Sequence, residues 1–187
     1  PPPPPPPSED AAPPAPPQEA AAPPPPPPPS GDASPEAKKK NGKRIALIGA
    51  GPASLTVARD LAPLGYSIDI YDNQFAGGGM MRSQIPSFRL PVAVLDEEVN
   101  YILGMGVTTT FNIQVDSLKE MLNKQYDAVF VGTGAPRGKG LNLPGLEDAI
   151  ANVYLGIEWL SSVAFEHTTS IGKRVLVLGG GNTAMDC

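Results

Sequence analysis

The sequence predicts an α/β fold built on a parallel sheet, and three observations carry that prediction. A short apolar run at residues 45–48 has the length and composition of a buried strand, and Gly49 and Gly51 follow it directly. A helical pattern opens at Pro52, and a second apolar run at residues 67–71 follows the helix. Strand, glycine turn, helix and strand in this order are typical of a βαβ unit, whose two strands are parallel.

The turn between the first strand and the helix has the spacing of a dinucleotide-binding fingerprint, with serine at the third position instead of glycine or alanine. Gly49 permits the sharp turn, and Gly51, which has no Cβ atom, permits a close approach of the backbone to a pyrophosphate. The unpaired N–H groups of the first helical turn then face the phosphates, aided by roughly half a positive charge from the helix dipole. The residues assigned to this first fingerprint are Gly49, Ala50, Gly51, Pro52, Ala53 and Ser54.

An acid at the end of the second strand supports the nucleotide interpretation. Glycine-rich turns also occur for purely structural reasons, so the turn alone does not distinguish the two. Asp72 follows Gly49 by about 20 residues, where the ribose 2′-hydroxyl of a dinucleotide needs an acceptor. The alternative is that Asp72 only solvates the end of the strand. Because strand, turn, helix, strand and acid occur together, the sequence favours a Rossmann-like dinucleotide site.

The first 42 residues differ in composition from the rest of the chain and predict a disordered, Pro-rich linker. Nineteen of the 25 prolines lie in the first 35 residues, which contain no aromatic or branched aliphatic side chain that could build a core. A ligand for SH3-like grooves is the alternative interpretation of this segment. Because the chain begins at Pro1 and not at a methionine, we expect a further portion of the protein to precede it.

Charge, hydropathy and cysteine content indicate which partners the protein binds and in which compartment it is expected. The net charge of −5 argues against a general binder of nucleic acid, although a few lysines precede the first strand. The sequence shows no signal peptide and no apolar run long enough to span a membrane. The single cysteine excludes an internal disulfide and a redox CxxC pair, which fits a reducing cytoplasm. We therefore expect a cytoplasmic protein that binds neither nucleic acid nor membrane.

The remaining elements follow from apolar periodicity and from turn residues. We predict helices at 52–62, 91–103, 117–122 and 155–165, strands at 107–111 and 128–131, and loops at 73–82 and 141–150. Ser117 and Glu120 form a capping box at the start of the third of these helices. The last helix is expected to turn Leu155, Trp159, Leu160 and Val163 toward a core.

Two further glycine-rich segments lie where a nucleotide is expected. Residues 77–79 follow the acid closely and predict a second backbone approach to the phosphates, the alternative being a flexible loop tip. Residues 132–134, Gly-Thr-Gly, follow a buried strand and so lie at the sheet edge where α/β folds bind ligands. Arg89 suits a phosphate or a carboxylate, and equally a surface ion pair. The only histidine, His167, has no apparent acidic or nucleophilic partner, so we predict a structural or solvent-facing role for it.

The opening pattern returns at the end of the chain. Residues 173–178 predict another strand, again led by a lysine and an arginine, and Gly179 to Ala184 form a second fingerprint, G-x-G-x-x-A. The two fingerprints lie about 130 residues apart. Two such sites suggest two cofactors and hydride transfer between them.

Five motifs in this order resemble one family of enzymes. The motifs G-A-G-P-A-S, G-G-M, I-P-S-F-R-L-P, G-T-G and G-G-G-N-T-A-M-D-C are distributed over essentially all of residues 43–187. Together they resemble the NAD(P)H/FAD module of glutamate synthase small-subunit-like oxidoreductases, to which a module of dihydropyrimidine dehydrogenase is related. The resemblance implies that FAD occupies the first fingerprint and NAD(P)H the second.

The resemblance also implies a role for each matching residue, and it implies that no side chain acts as a catalytic acid or base. Asp72 would hold the adenosine ribose, Arg89 would contact FAD, and Val115 would meet the adenine end. The residues that would wrap the pyrophosphate side are Asn73, Gly78, Gly79 and Met80, and those that would line the FAD crevice are Gly132, Thr133 and Gly134. The residues that would take the pyrophosphate of NAD(P)H are Gly179, Gly181, Asn182, Thr183 and Ala184.

The resemblance further implies the domain plan. Residues 1–42 are the linker, 43–172 an FAD-binding domain without its C-terminal return segment, and 173–187 the start of an NAD(P)H-binding domain. Electrons would pass to iron–sulfur clusters, whose cysteines the family carries ahead of the FAD motif. This chain has prolines there, so the clusters would lie on missing segments or on a partner, and the fragment itself is not expected to turn over.

Two other functions stay open at this stage. An NAD(P)-only dehydrogenase would bind no flavin, and an interaction module would use the Pro-rich segment to recruit partners on a nucleotide-binding scaffold. The choice between NADH and NADPH also stays open, because the residue that decides it is expected roughly 20 residues beyond Gly179.

Overall fold

The computed structural model describes residues 39–124 and 126–187, so residues 1–38 of the predicted linker lie outside the described residues. The elements are β1 (Arg44–Ile48), α1 (Pro52–Leu61), β2 (Ser67–Tyr71), α2 (Met80–Ser83), α3 (Val92–Leu103), β3 (Thr108–Thr110), α4 (Leu118–Asn123), β4 (Ala128–Val131), α5 (Leu146–Ala149), α6 (Gly156–Ala164) and α7 (Asn182–Asp186). Short 3₁₀ turns at Ala62–Leu64 and Ile150–Asn152 follow α1 and α5.

The four strands form one sheet in the order β3-β2-β1-β4, and every pairing is parallel. The prediction of an α/β fold with a parallel sheet is therefore confirmed. β1 lies in the middle, between β2 and β4. Because all four strands run the same way, the residues that follow them, among them Gly49, Asp72 and Gly132, meet at one edge of the sheet.

The sheet face that carries α1 and α3 contains the main core. Side chains alternate between the two faces of a strand, and Leu47 of β1 and Ile70 of β2 are almost completely buried on this face. The full cluster is Ile45, Leu47, Ala50, Leu55, Ala58, Ile68, Ile70, Leu95 and Val99. Full burial of one such side chain stabilises a fold by about 1.5–3 kcal/mol. This packing fixes α1 with its N-terminus at the edge where the strands end.

The opposite face, next to α4, combines a smaller core with a polar network. The buried residues are Ala46, Ile48, Met121 and Tyr126. Asp69 accepts hydrogen bonds from the Arg44 guanidinium and the Tyr126 hydroxyl, each at 2.8 Å. Burial raises the pKa of Tyr126, and its hydrogen bonds with Tyr71 and Asp69 raise it further, so the phenol stays neutral. The network joins β1 and β2 to the segment that leads into β4.

Two of the predicted helix ends have the expected physical cause. Pro63 lies just beyond α1 in the 3₁₀ turn, and Gly65 ends that turn with φ of 90°. Ser117 precedes α4, and its side chain accepts a hydrogen bond from the Glu120 backbone N–H at 3.3 Å. Both ends follow from local chemistry, a missing N–H in the first case and a side-chain acceptor in the second.

Two segments predicted as loops contain short helices. In 73–82, Gly79 adopts φ of 51° and starts α2, a single turn too short to show apolar periodicity. In 141–150, Gly145 with φ of 80° starts α5 in the same way. The prediction for Val163 is also wrong, because its side chain is largely exposed although Leu160 on the same helix is buried.

The predicted strand at 173–178 is absent. Lys173 and Arg174 form a bend, residues 175–178 have no regular secondary structure and pair with no strand in the described part of the chain, and Leu176 is 83% exposed. A strand exists only through hydrogen bonds to a neighbour, and neither edge of the four-stranded sheet receives this segment. Within the described ranges, no helix has the length and apolarity needed to cross a membrane.

Candidate functional site

The turn after β1 is held from both sides by the neighbouring strands. The Gly49 N–H donates to the Tyr71 carbonyl at 2.7 Å, and φ of Gly49 is 94°. A Cβ atom on Gly49 would lie 2.5 Å from the Gly132 carbonyl oxygen. Both the backbone angle and the space therefore require glycine here, for reasons internal to the protein.

The second glycine of the fingerprint is different, because no contact with the described residues requires a glycine there. Gly51 precedes α1 with φ of −79° and ψ of 179°, an extended conformation that any residue adopts. The nearest atom to an added Cβ would be the Gly79 Cα, at 3.9 Å, which is ordinary van der Waals contact. The space over Gly51 is thus left open, and an open backbone at a helix N-terminus is a site that an anion can approach.

The first turn of α1 has N–H groups available for such an anion. The Leu55 N–H donates to the Gly51 carbonyl, whereas those of Ala53 and Ser54 have no acceptor among the described residues. Pro52 has no N–H, which suits the first position of the helix. The two free N–H groups and the helix dipole make this end of α1 favourable for negative charge.

Ser54, at the third fingerprint position, is completely buried. Its hydroxyl oxygen has no hydrogen-bond partner among the described residues, and a Cβ on Gly132 would lie 2.3 Å from it. The helix and the end of β4 are therefore in close contact at this point. The small side chain serves the tight packing that the fingerprint requires.

Asp72 lies directly behind the turn. One carboxylate oxygen accepts from the Ala50 N–H at 2.5 Å, and the other accepts from the Gln74 N–H at 2.7 Å. The Asp72 N–H donates to the Thr110 carbonyl of β3 at 3.1 Å, which fixes the residue at the sheet edge. The Asp72 carboxylate therefore helps to hold the turn after β1, because it accepts a hydrogen bond from Ala50 within that turn.

The segment after β3 runs beside the segment after β2. The Ile113 N–H donates to the Asp72 carbonyl at 3.0 Å, and the Asn73 side-chain amide donates to the Gln114 side chain at 3.3 Å. Val115 is half-buried against the smaller core. The structure thus brings Asp72, Asn73 and Val115 together. The sequence analysis missed Ile113 and Gln114, although their position after a strand was a usable signal.

The glycine loop, residues 77–79, packs against the fingerprint. The Gly78 N–H donates to the Ala50 carbonyl at 2.9 Å, and a Cβ on Gly79 would lie 2.7 Å from the Gly51 Cα. Met80 begins α2 with its side chain exposed. At the far side of the turn, the Gly132 N–H donates to the Ile48 carbonyl at 2.8 Å, and Thr133 and Gly134 are exposed. These segments surround the N-terminus of α1.

The second fingerprint lies apart from the first and is linked instead to Arg89. Arg89 donates to Asp186, at the end of α7, at 2.5 Å, and the Asp186 side chain is only 8% exposed. Gly179 has φ of 132°, and Gly181 precedes the five-residue helix α7. Asn182 and Thr183 are exposed and Ala184 is half-buried. No hydrogen bond or ion pair among the described residues joins the two fingerprints directly.

The single cysteine lies against α6. The Cys187 thiol is 3.8 Å from the Gly156 carbonyl, and burial together with the nearby Asp186 charge raises the pKa of the thiol. The thiol is therefore held in its protonated, less reactive form. In the described part of the chain, no group of three His, Cys, Asp or Glu side chains could hold a metal ion.

A family model described as pyridine nucleotide-disulphide oxidoreductase matches residues 43–187. The chain belongs to the pyridine nucleotide-disulphide oxidoreductase family. Membership confirms the predicted class, an oxidoreductase domain of the fold that binds FAD and NAD(P)H. The sequence has one cysteine, so these residues cannot form a disulfide with one another.

Curated relatives narrow the resemblance. The chain is 39% identical over 150 residues to the NADP(+)-dependent formate dehydrogenase subunit beta of Moorella thermoacetica, covering 79% of this chain and 21% of the relative. It is 39% identical over 158 residues to the NADPH-Fe(3+) oxidoreductase subunit beta of Geobacter sulfurreducens, covering 81% and 23%. It is 38% identical over 151 residues to the NAD-dependent dihydropyrimidine dehydrogenase subunit PreT of Salmonella typhimurium, covering 79% and 36%. The predicted resemblance, including its relation to dihydropyrimidine dehydrogenase, is confirmed, and the chain spans about a fifth to a third of these relatives' length.

Solved structures agree on the fold. FprA of Mycobacterium tuberculosis in complex with NADPH superposes with a TM-score of 0.56 at 20% identity, over 64% of this chain and 28% of FprA. A 2-naphthoyl-CoA reductase superposes with a TM-score of 0.59 at 16% identity, over 83% and 23%. At this level of identity the likeness concerns the architecture alone.

Proposed function

We propose that residues 43–172 are the FAD-binding domain of an NAD(P)H oxidoreductase and that residues 173–187 begin its NAD(P)H-binding domain. The observation that carries this proposal is the open space over Gly51. Every other close approach at the first fingerprint has an internal cause, but the Gly51 position tolerates a side chain as far as the protein is concerned. A ligand that needs the space is the physical reason for a glycine there.

The residues around the first fingerprint fit FAD. The free N–H groups of Ala53 and Ser54 would donate to the pyrophosphate, and the Asp72 carboxylate would accept from the adenosine ribose. Asn73 and Val115 would border the adenine end. Gly78, Gly79 and Met80 on one side and Gly132, Thr133 and Gly134 on the other would enclose the pyrophosphate and the remainder of the cofactor.

Arg89 retains enough donors for two partners. A guanidinium has five N–H groups, and only one of its nitrogens is used toward Asp186. The side chain is about half-exposed, so its remaining donors could reach FAD while the ion pair persists. The second fingerprint, with Gly179, Gly181, Asn182, Thr183 and Ala184, would take the pyrophosphate of NAD(P)H.

The chemistry would belong to the cofactors, and the protein would supply position and electrostatics. FAD, when bound, accepts a hydride from NAD(P)H and passes electrons onward. The names of the Moorella and Geobacter relatives describe subunits, which supports a partner subunit or an iron–sulfur domain as the acceptor for this protein too. The chain's own residues would hold the two nucleotides, and we assign proton transfer to none of them. We place the protein in the cytoplasm.

The first experiment is an absorption spectrum of the purified full-length protein, with the released flavin identified by chromatography. We expect FAD. A folded protein that neither contains nor takes up flavin would leave the NAD(P)-only dehydrogenase. Loss of partners on deletion of residues 1–42, together with absent flavin, would favour the interaction module.

The matching substitution is Gly51→Val. Because an added Cβ atom would lie 3.9 Å from the nearest atom, the Gly79 Cα, and Gly51 has an ordinary extended backbone, the melting temperature should change by no more than a few degrees. The same side chain should block the pyrophosphate and abolish FAD retention. Thr56→Val, on the exposed side of α1, serves as the control for a substitution on this helix away from the site, and it should retain FAD. Normal flavin content in the Gly51→Val protein would refute the assignment of this site.

A further inference from the structure

The glycine loop, residues 77–79, is the wall of the candidate site that faces the N-terminus of α1. Gly78 and Gly79 have φ of 119° and 51°, angles that few other residues adopt. Gly79 lies so close to Gly51 that an added Cβ would collide with it. Three consecutive glycines lose more conformational entropy on ordering than any other triplet, so a defined loop shape needs interactions that hold it.

Arg82, on α2, supplies the side-chain interaction. Its Nε donates to the Gly77 carbonyl at 2.8 Å, and its terminal Nη2 donates to the Asp96 carboxylate at 2.5 Å. The guanidinium lies against the loop, with its Nε 3.6 Å from the position of a Cβ on Gly78. The Arg82 side chain is 10% exposed and the Asp96 side chain 47%, so the guanidinium is largely buried and its contact with Asp96 lies near the surface.

The other end of this bridge rests on a helix fixed in the main core. Asp96 belongs to α3, and its neighbours Leu95 and Val99 are both buried. Val99 also borders the loop, since its Cγ1 lies 3.0 Å from the position of a Cβ on Gly77. A planar guanidinium donates to a carbonyl and a carboxylate in two fixed directions, which the single ammonium of a lysine does not reproduce.

We propose that Arg82 is a positioning residue of the dinucleotide site, which holds the glycine loop against the first fingerprint by bridging Gly77 and Asp96. The inference rests on the proposed function, because it assigns the loop to the pyrophosphate of FAD. It adds two residues, Arg82 and Asp96, that the sequence motifs did not single out. Both act through the loop and neither is assigned a contact with the cofactor.

The experiment compares three variants of the full-length protein, Arg82→Met, Arg82→Lys and Asp96→Asn. The FAD dissociation constant is measured on apoprotein by flavin fluorescence, and backbone exchange with deuterium is followed at residues 77–82. Arg59→Met is the control, because Arg59 is exposed on α1 and, among the described residues, forms an ion pair with its neighbour Asp60 alone. We expect Arg82→Met to weaken FAD binding by roughly tenfold, the scale of a lost hydrogen bond to a charged group.

The other two variants test whether Arg82 positions the glycine loop or attracts the phosphate of the cofactor directly by its charge. If Arg82 positions the loop, Arg82→Lys should behave like Arg82→Met, and Asp96→Asn should weaken FAD binding by a few-fold with faster exchange at the loop. If Arg82 instead attracted the phosphate by its charge, lysine would preserve the affinity and Asp96→Asn would increase it, which overturns the proposal. Unchanged affinity in Arg82→Met also overturns it.

The two proposals fail in different ways. Wild-type protein that takes up no FAD refutes the proposed function. The exchange measurement does not need flavin, so it then still decides whether Arg82 holds the loop. If Arg82→Met does not fold, Arg82→Lys and Asp96→Asn give the same comparison.

Discussion

The two fingerprints have almost the same pattern of residues and very different surroundings. In the first, β1 is paired on both sides and Leu47 is completely buried. In the second, Val177 occupies the matching position, remains 44% exposed and pairs with no strand in the described residues. Both patterns set the glycine turn and a helix start, but only the first is surrounded by a sheet. The difference shows that the motif is sufficient to form the glycine turn and the helix start. The walls of the first site come from the strands that pair with β1.

The largest difference is expected between the first glycines of the two fingerprints. Gly49→Val adds a side chain at positive φ and 2.5 Å from the Gly132 carbonyl, so it should lower the free energy of unfolding by about 4 kcal/mol or more. Gly179→Val is also strained, but its nearest neighbour is a side-chain carbon at 3.3 Å in an exposed segment that can shift. We expect less than about 1 kcal/mol there. Urea unfolding followed by circular dichroism measures both, and equal losses would remove the structural distinction between the turns.

A smaller difference is expected between the matching strand residues. Leu47→Ala should cost about 3–5 kcal/mol, because it leaves a cavity in the main core. Val177→Ala should change stability by no more than about 0.5 kcal/mol, since Val177 is already 44% exposed and lies outside the buried core. The comparison uses the same unfolding measurement. A large loss for Val177→Ala would mean that residues 173–178 pack against a surface in solution.

The smallest effect concerns the basic pairs that lead into the two strands. Asp127 accepts from the Lys43 side chain and from the Arg44 N–H, and these bonds lower the pKa of Asp127 below its ordinary 3.8. A carboxylate whose pKa is lower in the folded state than in the unfolded state stabilises the fold at pH values above its unfolded-state pKa. This contribution is lost as the pH falls through the folded-state pKa. For Lys173 and Arg174, in contrast, no ion pair is found among the described residues.

The test is the unfolding free energy between pH 2 and pH 7 for wild type and Asp127→Asn. Wild type should be slightly more stable near neutral pH, and the difference should shrink below about pH 4 as Asp127 becomes protonated in wild type. Lys173→Met, at the second pair, should leave the pH dependence unchanged. A difference between wild type and Asp127→Asn that is the same at every pH would show that the carboxylate charge does not contribute.

Local patterns were sufficient for the elements that depend on near neighbours in the chain. The strands at 45–48, 67–71 and 128–131 and the helix beginning at Pro52 are confirmed to within about one residue. Short apolar runs between turn residues favour buried strands, as these three are, and Pro63 and Gly65 end the helix by their own backbone chemistry. The exposed Val163 was wrong because periodicity gives a face of the helix but not how far the neighbouring core extends.

The features of the candidate site also divide into those set by near neighbours in the chain and those set by distant ones. The sequence by itself determined the first fingerprint, the acid at Asp72 and the family, because glycine spacing and strand ends are local features. Only the tertiary structure decided that Gly49 is required by Gly132 while Gly51 is left free, that Arg82 joins the glycine loop to Asp96, and that residues 173–178 pair with none of the described strands. Each of these depends on a partner distant in sequence, and hydrogen bonds, close contacts and strand pairing are properties of two segments together.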